Sequence, residues 1–212
     1  MDNQHPTRCT AFEGFRRIAS GKLAEVALQT KEVLDRTDHV PVLIFDDTTG
    51  EQIEVDFRGT AEDVRRRLQE TASTDAPDRE APRGPGRPKL GVVGREVTLL
   101  PRHWDWLNSQ PGGASVALRK LVEEARRASA GKDRVRRSQE AAYKFMAALA
   151  GNLPGFEEAT RALFAGIRER FDEQVASWPT DVRDHAKKLA ADAFQGEVGT
   201  SVSGSVPSVN NP

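Results

Sequence analysis

The stretch of this chain that decides how its middle third folds is REVTLLPRHWDWLNSQPGGASVALRKLVEEARR (Arg95–Arg127). It begins with a strand-like run of about five residues, and Pro101 follows at a position typical of the first turn of a helix. Trp104 and Leu107 are at helical spacing, and a Pro-Gly-Gly turn at 111–113 precedes a second apolar stripe. The pattern predicts a strand, a helix, a turn and a second helix.

The second helix has an apolar face that is predicted to point inward, formed by Leu118, Leu121, Val122 and Ala125. Ser115 is placed to cap its N-terminus. Of the tryptophans, Trp104 and Trp178 are predicted to pack in cores. Trp106 lies off the inner face of its helix, so it is exposed, stacked on a partner or buried against another domain.

Strand, helix, turn and helix, in this order and over 33 residues, resemble the ribbon-helix-helix DNA-binding fold. The resemblance implies that two chains pair their strands into a ribbon that enters the major groove, while the second helix presents its N-terminal end to phosphate. In the family register, Arg95, Val97 and Leu99 face the bases. A shift by one residue places Glu96 and Thr98 there instead. A core strand of some other fold is the third reading.

A second basic element lies just upstream, in RGPGRPKLG (Arg83–Gly91). Its centre, Gly86-Arg87-Pro88-Lys89, is similar to an AT-hook, in which an extended segment lays an Arg into the narrow minor groove of A·T-rich DNA. Pro85 stands where that family usually has a second Arg. The alternative is an ordinary basic linker rich in proline and glycine.

The charges of the chain are unevenly distributed although their total is only −1. Residues 1–80 contain 11 Lys and Arg against 17 Asp and Glu, residues 81–137 contain 13 against 5, and residues 138–212 contain 7 against 10. A block of net charge +8 between two acidic flanks attracts polyanions locally. The run from Arg126 to Arg137 either follows a phosphate backbone or is a solvated connector after the second helix. The candidate DNA-contacting residues are Arg83, Arg87, Lys89, Arg95, Thr98, Arg102, Ser115, Arg119 and Lys120.

The N-terminal part, residues 8–70, has the pattern of a small α+β unit. An extended piece around 11–18 and a helix over 22–36 precede a buried strand at Val40–Phe45 and an alternating strand within QIEVDF (52–57). The DDTTGE sequence between these strands predicts a hairpin turn in which Gly50 adopts a positive φ. Thr60 and Asp63 predict the start of a short helix that runs through Leu68.

The rest of the chain is predicted to contain a flexible Pro/Gly/Arg linker at 71–94, the strand-helix-helix segment at 95–130, a helical region at 131–194 and a disordered tail at 195–212. Three apolar stripes, separated by Pro154-Gly155 and by Pro179, predict three short helices in the helical region. The predicted fold class is therefore α+β.

Catalytic and metal-site patterns are missing from the sequence. Cys9 is the single cysteine, and His5, His39, His103 and His185 are far apart along the chain. We therefore predict that the protein is not an enzyme and uses no metal or cofactor. A minor alternative is hydrolase-like chemistry at the acidic turn of Asp46 and Asp47. No apolar run is long enough for a membrane span and the first residues do not resemble a signal peptide, which predicts a cytoplasmic protein.

Three stretches in this order are similar to an uncharacterised family of bacterial proteins: FDDTTGEQIEVDFRG, GRPKLGVVGREVTLLPRHWDWLNSQPGGASVALRKLVEEAR and LPGFEEATRALFAGIRERFD. This resemblance implies a bacterial origin and no particular activity. The function predicted from the residues is DNA binding through segment 83–137, by a homodimeric transcriptional regulator or nucleoid-associated protein. The alternative is an adaptor that binds proteins and no nucleic acid.

Overall fold

The computed structural model describes residues 8–36, 40–74 and 95–195, and the side chains of 71–74 are not among the described atoms. Most of the predicted linker, the AT-hook-like element and all but the first residue of the predicted tail lie outside these ranges. The described elements, in chain order, are β1 (Arg8–Glu13), β2 (Arg16–Lys22), α1 (Leu23–Leu34), β3 (Val42–Asp46), β4 (Gln52–Ile53), α2 (Ala61–Thr74), α3 (Pro101–Ser109), α4 (Gly113–Leu149), α5 (Phe156–Ala165), α6 (Arg168–Val175) and α7 (Thr180–Leu189). The predicted α+β class is confirmed.

The four strands form one antiparallel sheet in the order β2-β1-β3-β4. The extended piece predicted around 11–18 is a hairpin, β1 and β2, in which Gly14 has a φ of 56°. β1 lies between β2 and β3, and its Cys9 is in register with Asp46 of β3. This register places the end of β3 beside the start of β1.

The strand predicted within QIEVDF is much shorter than expected. Only Gln52 and Ile53 pair with β3, and the prediction is wrong beyond Ile53. Val55 and Phe57 are half-buried against the small core that contains Ile44. The alternation of apolar residues here therefore reflects burial of one face of the segment. It does not require a neighbouring strand that continues the hydrogen-bonding ladder.

Helix α2 begins where the sequence predicts. The backbone N–H of Thr60 donates to Asp63 Oδ2 at 3.0 Å, and the N–H of Asp63 donates to Thr60 Oγ1 at 3.3 Å. This reciprocal pair satisfies two amide groups that a helix start leaves unbonded. The predicted end at Leu68 is wrong, because the helix continues to Thr74.

The chain divides into two compact units, residues 1–68 with 131–212 and residues 69–130. In the first unit, the sheet and the C-terminal helices share one core. Phe45 of β3 meets Phe145 of α4 edge-on with ring centroids 5.0 Å apart, and Phe12 of β1 lies 5.3 Å from the same ring. Segments 8–68 and 131–195, distant in sequence, therefore fold as one body.

The predicted connector after residue 127 does not exist as a separate segment, because 113–149 is one helix. Arg126 with Glu123 and Arg136 with Asp133 form ion pairs three residues apart, which support a helix at these positions. The run contains no proline to interrupt it.

The predicted helix breaks near Gly155 and Pro179 are confirmed. Gly155 precedes α5 with a φ of 78°, and Pro179 precedes α7. A third break was missed: the second apolar stripe is divided into α5 and α6 at Gly166, whose φ is 73°. Glycine tolerates this left-handed conformation at a helix end, whereas other residues disfavour it.

Candidate nucleic-acid interface

Residues 95–100 form neither a helix nor a strand in the single chain, all of them except Leu99 are exposed, and the backbone is extended at Leu100. Among the described residues, no backbone hydrogen bond joins residues 95–99 to another segment. The strand predicted here is therefore not present in one copy of the protein. A strand exists only when a neighbouring strand accepts and donates its hydrogen bonds, and the second unit contains no such strand among its described residues.

The side chain of Leu99 indicates which face of this segment points inward. It is half-buried and lines an apolar cavity of about 270 Å³, together with Trp106 and Leu107 of α3 and Leu118 and Leu121 of α4. If these residues paired as a strand, alternate residues would share a face, so Val97 would lie on the face of Leu99 and Thr98 on the opposite one.

Much of the apolar surface of the second unit is uncovered. Leu107 is buried, but Trp106 is 51% exposed, Leu121 42% and Val122 63%. The prediction that Leu121, Val122 and Ala125 point inward is wrong for the single chain, in which all three are exposed. The unit has only two described helices and one extended segment after residue 94, which is too little to enclose both apolar faces.

The candidate residues of this unit that the structure describes are all exposed: Arg95, Thr98, Arg102, Ser115, Arg119 and Lys120. Arg119 and Lys120 line a shallow cavity of about 360 Å³ on α4. The prediction that Ser115 caps this helix is wrong, because α4 begins at Gly113. Ser115 lies in the first turn, where its carbonyl oxygen accepts a hydrogen bond from Arg119 Nε at 3.0 Å.

Part of the positive charge on α4 is compensated locally. The carboxylate of Glu123 lies 3.0 Å from Arg126 and 3.1 Å from Arg127. The hydrogen bond from Arg126 is the main reason that the pKa of Glu123 is below its usual value. Arg119 and Lys120 have no ion pair with a described carboxylate, so their charges are more available to an anion.

Arg83, Arg87 and Lys89, the candidate residues of the AT-hook-like element, lie outside the described residues. Their part of the prediction therefore stays a prediction.

A polar cluster in the first unit was missed by the sequence analysis, which treated Asp46 and Asp47 as a turn. Asp46 does hold the turn, since its Oδ1 accepts the N–H groups of Thr48 and Thr49 at 2.6 and 2.8 Å. Asp47 instead points inward. Its Oδ1 accepts a hydrogen bond from Thr10 Oγ1 at 2.7 Å, and its Oδ2 lies 2.6 Å from Lys188 Nζ. No spacing in the sequence relates Asp47 to Lys188.

Two titratable groups beside this cluster have strongly shifted pKa values. Burial lowers the pKa of His185 to about 4, against the opposing effect of Asp47, and Lys188 and Arg17 lower it further. His185 Nε2 is buried without a hydrogen-bond partner, 3.8 Å from Asp47 Oδ1. Burial and the negative charges of Asp47 and Asp46 raise the pKa of the Cys9 thiol to about 12, which keeps it protonated.

The described residues contain no group of three or more His, Cys, Asp or Glu side chains placed to hold a metal ion. No helix within the described ranges combines the length and the apolar character needed to cross a membrane.

Comparison with known proteins gives one match. Residues 8–190 match the bacterial family DUF2239, described as an uncharacterized protein conserved in bacteria. The chain belongs to this family. The match covers both units, and it confirms the predicted membership of an uncharacterised bacterial family. The match does not show a ribbon-helix-helix or AT-hook element. No curated protein and no solved structure matches the chain.

Proposed function

We propose that this DUF2239 protein is a cytoplasmic, non-enzymatic DNA-binding protein, a transcriptional regulator or nucleoid-associated protein, that contacts DNA as a homodimer through segment 83–137. The observation that carries the proposal is segment 95–100, which pairs with no described strand, is mostly exposed and is followed by two helices with uncovered apolar side chains. A second copy would supply both missing partners, a strand for the ribbon and an apolar face for the helices.

The position of Leu99 supports one of the two ribbon registers. In a paired strand with Leu99 turned towards the helices, Glu96 and Thr98 would face outward, where a ribbon would meet the major groove, and Val97, which is 53% exposed in the single chain, would be covered only in the dimer. Thr98 offers a hydroxyl that both donates and accepts, and Glu96 offers acceptors for the amino group of cytosine. This arrangement favours the shifted register over the one that places Val97 and Leu99 against bases.

The positive side chains around the ribbon supply contacts to phosphate in this proposal. Arg102 lies in the first turn of α3, and Arg119 and Lys120 lie in the second turn of α4. The sequence adds Arg83, Arg87 and Lys89 upstream, where the AT-hook-like element would follow the minor groove. Phosphate contacts of this kind position a protein without reading sequence.

The test is the anisotropy of a labelled DNA duplex titrated with the full-length protein at several salt concentrations between 50 and 200 mM. If roughly four to six phosphates are neutralised, the logarithm of affinity falls with the logarithm of salt at a slope of about −4 to −5. Arg87→Ala and deletion of residues 81–94 are expected to reduce the slope. Absence of salt-dependent binding at 50 mM contradicts the proposal.

A second candidate function is favoured by the same exposed apolar side chains, Trp106, Leu121 and Val122. They also suit an adaptor that binds a different protein. Measurement of the mass in solution separates the two, because a ribbon requires two copies of the chain. A protein that is monomeric at micromolar concentration and does not bind DNA fits the adaptor.

A further inference from the structure

A charged cavity of about 410 Å³ lies in the first unit, and its lining includes Arg134 and Arg137 at the end of the proposed DNA-contacting segment 83–137. It is bordered by the end of β3, by α4 and by the end of α7 with the turn after it. The side chains that matter for its chemistry are Asp47, Arg134, Arg137, Ser138, Lys188 and Asp192. Cavities of this size accommodate small organic ligands.

Two buried polar side chains fix the walls of this cavity. Ser138 Oγ donates to the carbonyl oxygen of Leu189 at 2.6 Å, which ties α4 to α7. The side chain of Asp47 is only 6% exposed, and both of its oxygens are engaged, by Thr10 Oγ1 and by Lys188 Nζ. The negative charge of Asp47 is therefore compensated within the wall.

Two arginines that line the cavity lack such compensation. Arg134 and Arg137 are exposed and lie three residues apart on α4, so they are neighbours on one side of the helix. No ion pair joins either guanidinium to a carboxylate of the described residues, whereas Arg136, between them, is paired with Asp133 at 3.1 Å. Arg137 is oriented by a hydrogen bond from its Nε to the carbonyl oxygen of Asp133 at 3.2 Å.

Asp192 also lines the cavity, and its carboxylate forms no ion pair or side-chain hydrogen bond with another described residue. It can accept from a hydroxyl or ammonium group of a ligand. It also repels an extended polyanion, which makes the cavity less suited to a DNA backbone than to a small molecule.

We propose that this cavity binds a small molecule that carries a phosphate or carboxylate group and also a hydroxyl or amino group. Arg134 and Arg137 bind the oxyanion, since guanidinium groups match the planar arrangement of its oxygens. Lys188 also lines the cavity but its charge is paired with Asp47, and Asp192 accepts from the donor group. Arg134 and Arg137 also belong to the proposed DNA-contacting segment 83–137, whereas the other side chains of the site lie outside that segment.

The test measures the thermal unfolding midpoint of the full-length protein with 10 mM inorganic phosphate or 10 mM citrate, against sodium chloride at the same ionic strength. Binding with a dissociation constant of about 1 mM raises the midpoint by roughly 3 °C. Arg134→Gln combined with Arg137→Gln is expected to abolish the rise, whereas Arg136→Gln, at the paired arginine between them, retains it. A rise with one anion only supports the proposal and identifies the preferred group.

Three results overturn the proposal: no rise with either anion, an equal rise in the double variant, or a loss of the rise with Arg136→Gln alone. A DNA titration with the double variant separates the two sources of phosphate. If its salt slope falls while neither small anion has any effect on the wild-type protein, the two arginines contact DNA phosphates instead. Failure of DNA binding in the wild-type protein leaves the small-molecule result unaffected.

Discussion

Gly50, in the turn between β3 and β4, lies directly against the backbone of Ala141 in α4. A Cβ atom at Gly50 would be 2.0 Å from the Ala141 carbonyl oxygen, far inside van der Waals contact. Beside it, Lys144 Nζ lies 2.7 Å from Glu51 Oε1. The hairpin turn predicted from the sequence is therefore also the point at which the sheet meets the C-terminal helices.

We expect Gly50→Ala to lower the free energy of unfolding by at least about 3 kcal/mol, because the backbone of Ala141 has to move to admit a methyl group. Urea denaturation measures the change. Gly166→Ala is the matched control, since Gly166 has a similar φ of 73° but no atom within 4 Å of the added Cβ. The control is expected to cost only about 1–2 kcal/mol, the strain of the left-handed conformation. Equal losses in both variants would contradict the role of the contact.

The stability of the protein is expected to fall as the pH decreases from 6.5 to about 4. His185 has its pKa lowered to about 4 by burial, so in this range the unfolded chain binds a proton at His185 that the folded chain does not. The loss attributable to His185 reaches about 3 kcal/mol at the acid end of the range. Urea denaturation at a series of pH values measures it.

His185→Leu isolates this contribution, because leucine fills part of the same space and does not titrate. The quantity compared is the slope of the free energy of unfolding against pH. A constant loss of packing against Phe12 and Phe145 does not change this slope. We expect a shallower slope than in the wild-type protein between pH 6.5 and 4. Parallel curves would show that His185 is not the group that titrates.

Residues on the ribbon and on α4 are expected to affect DNA binding in different ways. Arg119→Ala and Lys120→Ala should each reduce the magnitude of the salt slope by about 1, because each removes one phosphate contact. Thr98→Ala should leave the slope unchanged and reduce discrimination between duplexes of different sequence. Anisotropy titrations measure both quantities. Arg161→Ala, at an exposed arginine of α5 that pairs with Glu158, serves as the control and should change neither.

Trp106→Glu is expected to convert a dimer to a monomer. The side chain is half exposed in the single chain, so the substitution removes an apolar contact between copies and places a charge there, with little cost to the isolated chain. Light scattering after size-exclusion chromatography measures the mass. Phe164→Glu is the matched control, because Phe164 is equally exposed but belongs to the first unit. A wild-type monomer, or loss of the dimer only with Phe164→Glu, would contradict the proposed interface.

Local features of the fold could be predicted from the sequence where neighbouring residues decide the outcome. The capping pair of Thr60 and Asp63, the positive φ of Gly50 and the breaks at Gly155 and Pro179 are of this kind. The alternative of a separate connector over the run from Arg126 to Arg137 was wrong, because these residues continue α4, and arginine and lysine are good helix formers.

The sequence by itself determined the α+β class, the positions of several turns and helix starts, and the concentration of positive charge between residues 81 and 137. Only the tertiary structure decided that segments 8–68 and 131–195 share one core, that Asp47 meets Lys188, and that Arg134 and Arg137 border a cavity with Asp192. The physical reason is the range of the interactions. Caps, turns and charge density depend on residues a few positions apart, whereas a shared core or a ligand cavity depends on side chains that only the packing of distant segments brings together.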